Sequence, residues 1–142
     1  METRILVVED DPMNAKLFHL ILTRRAGFEV EVTEDPERVL AQAASDRVDL
    51  IIMDISLSNS RIQGTAVDGL EITRRLKADP ATRRIPVLLA TAHAMKGSRE
   101  RFLAESGADD YISKPIVSAE ELVTRIHALI GKGTHVAPPA AR

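Results

Sequence analysis

Glu9, Asp10 and Asp11 stand in a row directly after the apolar run Ile5-Leu6-Val7-Val8, and Asp54 directly follows Leu50-Ile51-Ile52-Met53. Thr91 follows Val87-Leu88-Leu89-Ala90, and Lys114 follows Tyr111-Ile112-Ser113. Carboxylates held together repel one another, and some of their pKa values rise unless a cation is present. Magnesium answers that repulsion: it is a small hard ion that takes oxygen ligands and keeps several waters. A carboxylate beside Mg²⁺, an amine and a hydroxyl is suited to attack a phosphoryl group and form an aspartyl phosphate. The metal and the ammonium neutralise charge on the phosphoryl oxygens, and the hydroxyl hydrogen-bonds one of them. Asp11 precedes Pro12 and serves better as a helix cap, which leaves Glu9 and Asp10 for the cation.

For these groups to meet, their chain segments must end on one rim. The runs at 5–8, 50–53 and 87–90 are short, continuous and largely β-branched or leucine, as suits strands buried on both faces of a parallel sheet. Phe28–Thr33 and Tyr111–Ser113 are weaker strand candidates. Between them lie segments of helical spacing. Met13, Leu17, Leu20 and Ile21 share one face, as do Val39, Leu40 and Ala43, and Leu122, Ile126, Leu129 and Ile130. Asp11-Pro12 and Asp35-Pro36 read as helix starts, and Ser118 with Glu121 as a capping box. Gly27, Gly107, Gly131 and Pro80 read as stops.

The pattern predicts five strands near 4–8, 28–33, 49–54, 85–90 and 109–113. It predicts helices near 12–26, 36–45, 68–78, 96–106 and 119–130. Strict alternation of this kind predicts an α/β fold, an open doubly wound parallel sheet with helices on both faces. Ligands of such sheets bind beyond the carboxyl ends of the strands, where the acids, the hydroxyl and the amine all fall.

The chain has 142 residues, net charge −2, no cysteine and no tryptophan. That length fits one domain. Without cysteine there is no disulfide, thiolate metal site or cysteine nucleophile. The near-neutral charge and scarce aromatics give no footprint for nucleic acid or an anionic membrane. No apolar stretch is long enough to span a bilayer, and no signal peptide is evident, so a cytoplasmic protein is expected.

The segments Ile5–Asp11, Asp49–Asp54, Ala90-Thr91-Ala92 and Tyr111–Pro115 together resemble the receiver domain of two-component response regulators. Asp11-Pro12-Met13-Asn14 and His93-Ala94-Met95-Lys96-Gly97 most resemble single-domain receivers of the DivK type. The likeness covers roughly residues 3–131 and leaves 132–142 as a flexible tail. It implies a flavodoxin-like fold with strand order 2-1-3-4-5, one of the two common orders of doubly wound sheets. It implies that Asp54 accepts phosphate from a histidine kinase or histidine phosphotransferase. Mg²⁺, with Mn²⁺ as a substitute, would be held by Asp10, by Glu9 largely through water, by Asp54 and by the backbone carbonyl of Ser56. Lys114 would pair with the phosphoryl group through a segment whose Lys114-Pro115 peptide is cis. Thr91 and Tyr111 would be the switch pair, and His93 and Ser56 would modulate phosphoryl lifetime. Asn14, Leu17 and Phe18 would dock the phosphodonor. The region 96–130, holding the fourth helix, fifth strand and fifth helix, would meet a downstream protein or a second copy.

The expected function is a stand-alone, Mg²⁺-dependent phospho-accepting switch. Enzymatic character would be limited to slow self-phosphorylation and self-dephosphorylation. The alternatives are a receiver cut from a hybrid kinase or longer regulator, a non-phosphorylating pseudo-receiver, an aspartyl-phosphate phosphatase or phosphotransferase, and a nucleotide- or flavin-binding protein. An enzyme of the phosphatase kind would want a second acid near the nucleophile, and Ile55-Ser56 supplies none. No glycine-rich phosphate loop follows the first strand. One departure from the family stands out. The segment between Asp54 and Gly69 is several residues longer than usual and lacks the family's proline. An extended, mobile loop is expected there, able to shield the phosphoryl group or touch a partner.

Overall fold

The computed structural model describes residues 2–57, 60–92 and 97–133, with side chains to residue 131. Five parallel strands form one sheet: β1 (Arg4–Val8), β2 (Glu29–Thr33), β3 (Leu50–Asp54), β6 (Val87–Thr91) and β7 (Asp110–Ser113). Their order is β2-β1-β3-β6-β7. A separate antiparallel pair, β4 (Arg61–Ile62) and β5 (Thr65–Ala66), interrupts the chain after β3. The helices are α1 (Pro12–Leu20), α2 (Pro36–Ala44), α3 (Gly69–Ala78), α4 (Ser98–Ser106) and α5 (Ala119–Gly133). The fold is thus the expected flavodoxin-like, doubly wound α/β architecture with one addition.

Successive strand side chains point to opposite faces, and the core divides accordingly. Leu6, Val8, Ile51, Met53, Val87 and Leu89 pack with Val39 and Ala43 of α2, Ile72 and Leu76 of α3, and Phe102 of α4. Ile5, Val7, Leu50, Ile52, Leu88 and Ala90 pack on the other side with Phe18 of α1 and Leu122, Ile126 and Leu129 of α5. Strands β3 and β6 are buried along their whole length, which is why they read as unbroken apolar runs. Strand β2 lies at an edge, and its half-exposed residues explain its weak sequence signal.

The caps form as expected. Asp11 accepts from the Met13 amide, Asp35 from Glu37, and Ser118 Oγ from Glu121. Asp68 caps α3 through the Glu71 amide at 2.9 Å.

Three expectations need correction. First, the apolar stripe of α1 is rotated. Met13 is 77% exposed and Leu20 41%, whereas Phe18, Ile21 and Leu22 are buried. Phe18 carries the largest apolar side chain on this helix and takes the sheet-facing position, so the buried stripe runs i, i+3, i+4 from residue 18. Residues Ile21–Arg25 then continue as a π-helical turn and not as regular α-helix. Second, Gly131 does not stop α5, which runs through Gly133. Of the tail expected over 132–142, the first two residues belong to α5, and 134–142 lies outside the described residues. Third, where an extended, mobile loop is expected, residues 60–67 form a hairpin. Gln63 and Gly64 both have positive φ, as a type I′ hairpin turn requires. Leu57, Ile62 and Val67 bury their side chains in the α2–α3 side of the core. Ser58 and Asn59 lie outside the described residues.

Candidate functional site

Strand register assembles the site. Val8 pairs with Met53, so Glu9 and Asp54 emerge at the same level from neighbouring strands. Asp54 pairs with Ala90 and Thr91 with Ser113, so Thr91 ends β6 one residue beyond Asp54 and Lys114 leaves β7 just after Thr91. Four strands therefore deliver their terminal polar residues to one rim.

One carboxylate oxygen from each of Glu9, Asp10 and Asp54 lies within 4.8 Å of the other two. Glu9 and Asp54 are buried and Asp10 is half-buried. Lys114 Nζ donates to Glu9 Oε1 at 2.9 Å and to Asp54 Oδ1 at 3.0 Å. Its backbone amide donates to the Thr91 carbonyl at 2.8 Å, which locks the end of β7 to β6. Thr91 itself is fully buried. The Lys114-Pro115 peptide is cis, as the family likeness implies. The Ser56 amide donates to Asp54 Oδ1 at 3.1 Å, and the Asp11 amide to Glu9 Oε2 at 3.2 Å.

The electrostatics follow from this crowding. Burial pushes the Glu9 carboxyl up to about 7; the hydrogen bond from Lys114 opposes the rise, and the nearby Asp54 charge adds to it. Burial disfavours the Lys114 ammonium, but the hydrogen bonds and charges of Glu9 and Asp54 outweigh it and hold the lysine above its ordinary value. Among the described residues, the Lys114 ammonium bridges two of these three acids, Glu9 and Asp54. The donors of the three acids are all hard oxygens, the set a magnesium ion prefers. Glu9, Asp10 and Asp54 fit such an ion without adding any residue.

Tyr111 points inward. It is buried and stacks on Phe102 of α4, with ring centroids 6.3 Å apart and planes at 22°. Burial raises its phenol pKa. Beside it lies Asp110, whose Oδ1 accepts from Arg99 of α4 at 3.2 Å and from Arg125 of α5 at 3.1 Å. A cleft of about 210 Å³ opens here, lined by Tyr111, Pro115, Ile116, Val117 and both arginines.

Phe18 does not meet its expectation as a docking residue. It is 1% exposed and belongs to the core, so it has no surface to offer a partner. Asn14 and Leu17 are half-exposed on α1, and Met13 is the prominent apolar side chain on that helix. Ser56 is exposed beside Asp54. His93 lies outside the described residues. His19 and His127 are exposed on α1 and α5.

One residue of the site carried no expectation. A Cβ at Gly69 would lie 2.1 Å from the Asp54 carbonyl oxygen and 2.9 Å from its carbon. The first turn of α3 therefore presses directly on the backbone of Asp54. A glycine immediately after a capping aspartate was the available signal, because glycine is costly in a helix unless backbone must approach closely.

Residues 5–127 match the response regulator receiver domain family. The polar-differentiation response regulator DivK of Brucella anthropi is 39% identical over 131 residues, covering 92% of this chain and 98% of that protein. Hybrid signal transduction histidine kinase I of Dictyostelium discoideum is 40% identical over 115 residues, covering 80% of this chain but only 6% of the kinase. The receiver domain of a sensor histidine kinase from Pseudomonas aeruginosa, solved with a magnesium ion coordinated in its active-site cleft, superposes with a TM-score of 0.77. It is 32% identical, and the match covers 93% of this chain and all of that one.

Proposed function

This chain belongs to the response regulator receiver domain family, and on that premise we propose that it is a stand-alone switch that takes a phosphoryl group onto Asp54. The observation that supports this most is the meeting of Glu9, Asp10 and Asp54 within 4.8 Å, with Lys114 on Asp54 at 3.0 Å. In this reading the Asp54 carboxylate attacks phosphorus on a donor histidine. An O–P bond forms as the N–P bond breaks, and the electron pair returns to the imidazole. Lys114 moves its hydrogen bond from Asp54 to a phosphoryl oxygen, and the Thr91 hydroxyl donates to another. Glu9, Asp10, Asp54 and the Ser56 carbonyl are the residues that would hold Mg²⁺. Bound there, the ion supplies positive charge against the phosphoryl oxygens.

Signalling then goes through protein contact. The donor is a histidine kinase or phosphotransferase that meets the exposed side of α1 at Asn14, Leu17 and Met13. The α4–β7–α5 face, with its cleft beside Tyr111, serves a downstream protein or a second copy. Among the described residues no helix is long and apolar enough to cross a membrane. Self-phosphorylation and slow hydrolysis are the only chemistry assigned. The likeness to a hybrid kinase, of which this chain spans a small part, favours a second reading: the same switch acting within a longer protein.

The test is incubation with acetyl phosphate, with and without Mg²⁺, against Asp54→Asn. A Mg²⁺-dependent phosphoryl mass gain that the variant lacks is the expected result. No adduct at any Mg²⁺ concentration refutes the proposal in favour of a non-phosphorylating binding module.

A further inference from the structure

We infer that the hairpin of residues 60–67 is a brace that positions the backbone beside the phosphoacceptor, an inference that rests on the switch reading above. The inserted segment leaves and rejoins the fold at one place. The Ile55 amide donates to the Ala90 carbonyl at 3.1 Å, and the Gly69 amide donates to the Ile55 carbonyl at 3.0 Å. Both ends of the excursion are thereby pinned behind Asp54. Left unanchored, a loop of this length would sample many conformations and carry Ser56 with it.

The hairpin supplies the anchors. Ser60 is buried, and its Oγ donates to the Glu34 carbonyl at 2.7 Å, just before α2. The Gln63 amide donates to Glu37 Oε2, in the first turn of α2, at 3.2 Å. The Val67 amide donates to the Ser60 carbonyl at 3.0 Å and closes the base of the hairpin. Below these bonds, Leu57, Ile62 and Val67 are packed into the core. Ser56 therefore sits between a residue pinned by two backbone bonds and a residue buried in the core, while its own amide holds Asp54 Oδ1. The brace fixes this backbone before any ligand arrives, so the ordering cost does not fall on binding. Ser60, Gln63, Glu34 and Glu37 lie outside the Glu9–Asp10–Asp54 cluster, and their role is positioning.

The test compares two double variants of the full chain with wild type. Ser60→Ala with Glu37→Ala removes both anchors. Ser60→Thr with Glu37→Gln keeps a hydroxyl donor and an oxygen acceptor. Amide hydrogen exchange at Ser56 and Leu57 should rise about fivefold or more in the alanine pair, the share of roughly one net hydrogen bond. Its Mg²⁺ affinity and its rate of phosphorylation by acetyl phosphate should fall by a similar factor. The conservative pair should keep wild-type values in all three. Unchanged exchange in the alanine pair, or equal losses in both pairs, overturns the brace. Faster exchange with unchanged Mg²⁺ affinity and phosphorylation rate overturns it too, because the hairpin would then be a structural ornament. If wild type itself gives no Mg²⁺-dependent adduct, the switch reading fails, and the exchange comparison alone decides the brace.

Discussion

Replacing Gly69 by alanine should damage both stability and phosphorylation, and the size of the damage follows from three distances. The added Cβ would lie 2.1 Å from the Asp54 carbonyl oxygen, 2.9 Å from its carbon and 3.0 Å from Ile55 Cα. Carbon and oxygen tolerate about 3.3 Å, so the backbones must separate by roughly 1 Å. All three obstacles are backbone atoms, and no rotamer change relieves them. Moving α3 stretches the Gly69 amide to Ile55 carbonyl bond. Moving β3 disturbs a strand paired on both sides. Overpacking of this kind costs about 1–3 kcal/mol, and a weakened hydrogen bond about 1 kcal/mol more. Alanine returns at most about 1 kcal/mol of helix propensity. The net loss is about 2 kcal/mol, which lowers a urea midpoint by roughly 1 M. A displacement of Asp54 approaching 1 Å should slow phosphorylation by acetyl phosphate by about 10²-fold. Gly131→Ala is the control, because a Cβ there meets nothing within 4 Å; it should leave the phosphorylation rate unchanged. A Gly69→Ala protein with a wild-type urea midpoint and wild-type phosphorylation rate would refute the reasoning.

Two further predictions concern the acidic cluster. Glu9 is raised from 4.5 to about 7 by burial, so the native metal-free protein holds this proton longer than the unfolded chain. Below about pH 4.5 the group costs nothing; as pH rises to about 7 it costs roughly 3 kcal/mol, since each pKa unit is worth about 1.4 kcal/mol. Urea midpoints in chelator should therefore fall between pH 5 and 7 for wild type relative to Glu9→Gln, and Mg²⁺ should close the gap. Parallel curves for the two proteins would contradict this. Lys114→Met leaves Glu9 and Asp54 facing each other without their ammonium. At pH 8 in chelator it should cost about 3 kcal/mol, as loss of one partner from a buried pair does, and Mg²⁺ should recover much of it. A melting temperature within a degree of wild type would count against the bridging role.

The parts legible in the sequence share one physical property: they are local or repeat along a strand. Strands β1, β3 and β6 are buried on both faces, so their apolar runs are unbroken, and the polar residue ending each run marks the rim. Parallel pairing in near-even register then does the assembling. Glu9, Asp54, Thr91 and Lys114 meet because their strands all point the same way, and no long-range guess about side chains is needed. What stayed hidden depends on comparison between distant residues. Periodicity placed an apolar stripe on α1, but Met13, Leu17 and Phe18 are similar enough in hydropathy that only docking against the sheet decides that Phe18 goes in and Met13 stays out. The hairpin escaped for the same reason. Two-residue strands carry no periodic signal, and the bonds from Gln63 to Glu37 and from Ser60 to Glu34 each span 26 positions. Gly69 joins these two classes. Its position after Asp68 is local and visible, but the need for glycine there comes from Asp54, fifteen positions earlier by the numbering. Because the junction of Ile55 and Gly69 is closed by backbone alone, the chain between them can lengthen at slowly growing entropic cost while Asp54 keeps its place. That is how this chain carries a hairpin between β3 and α3 on the sheet that builds its acidic cluster.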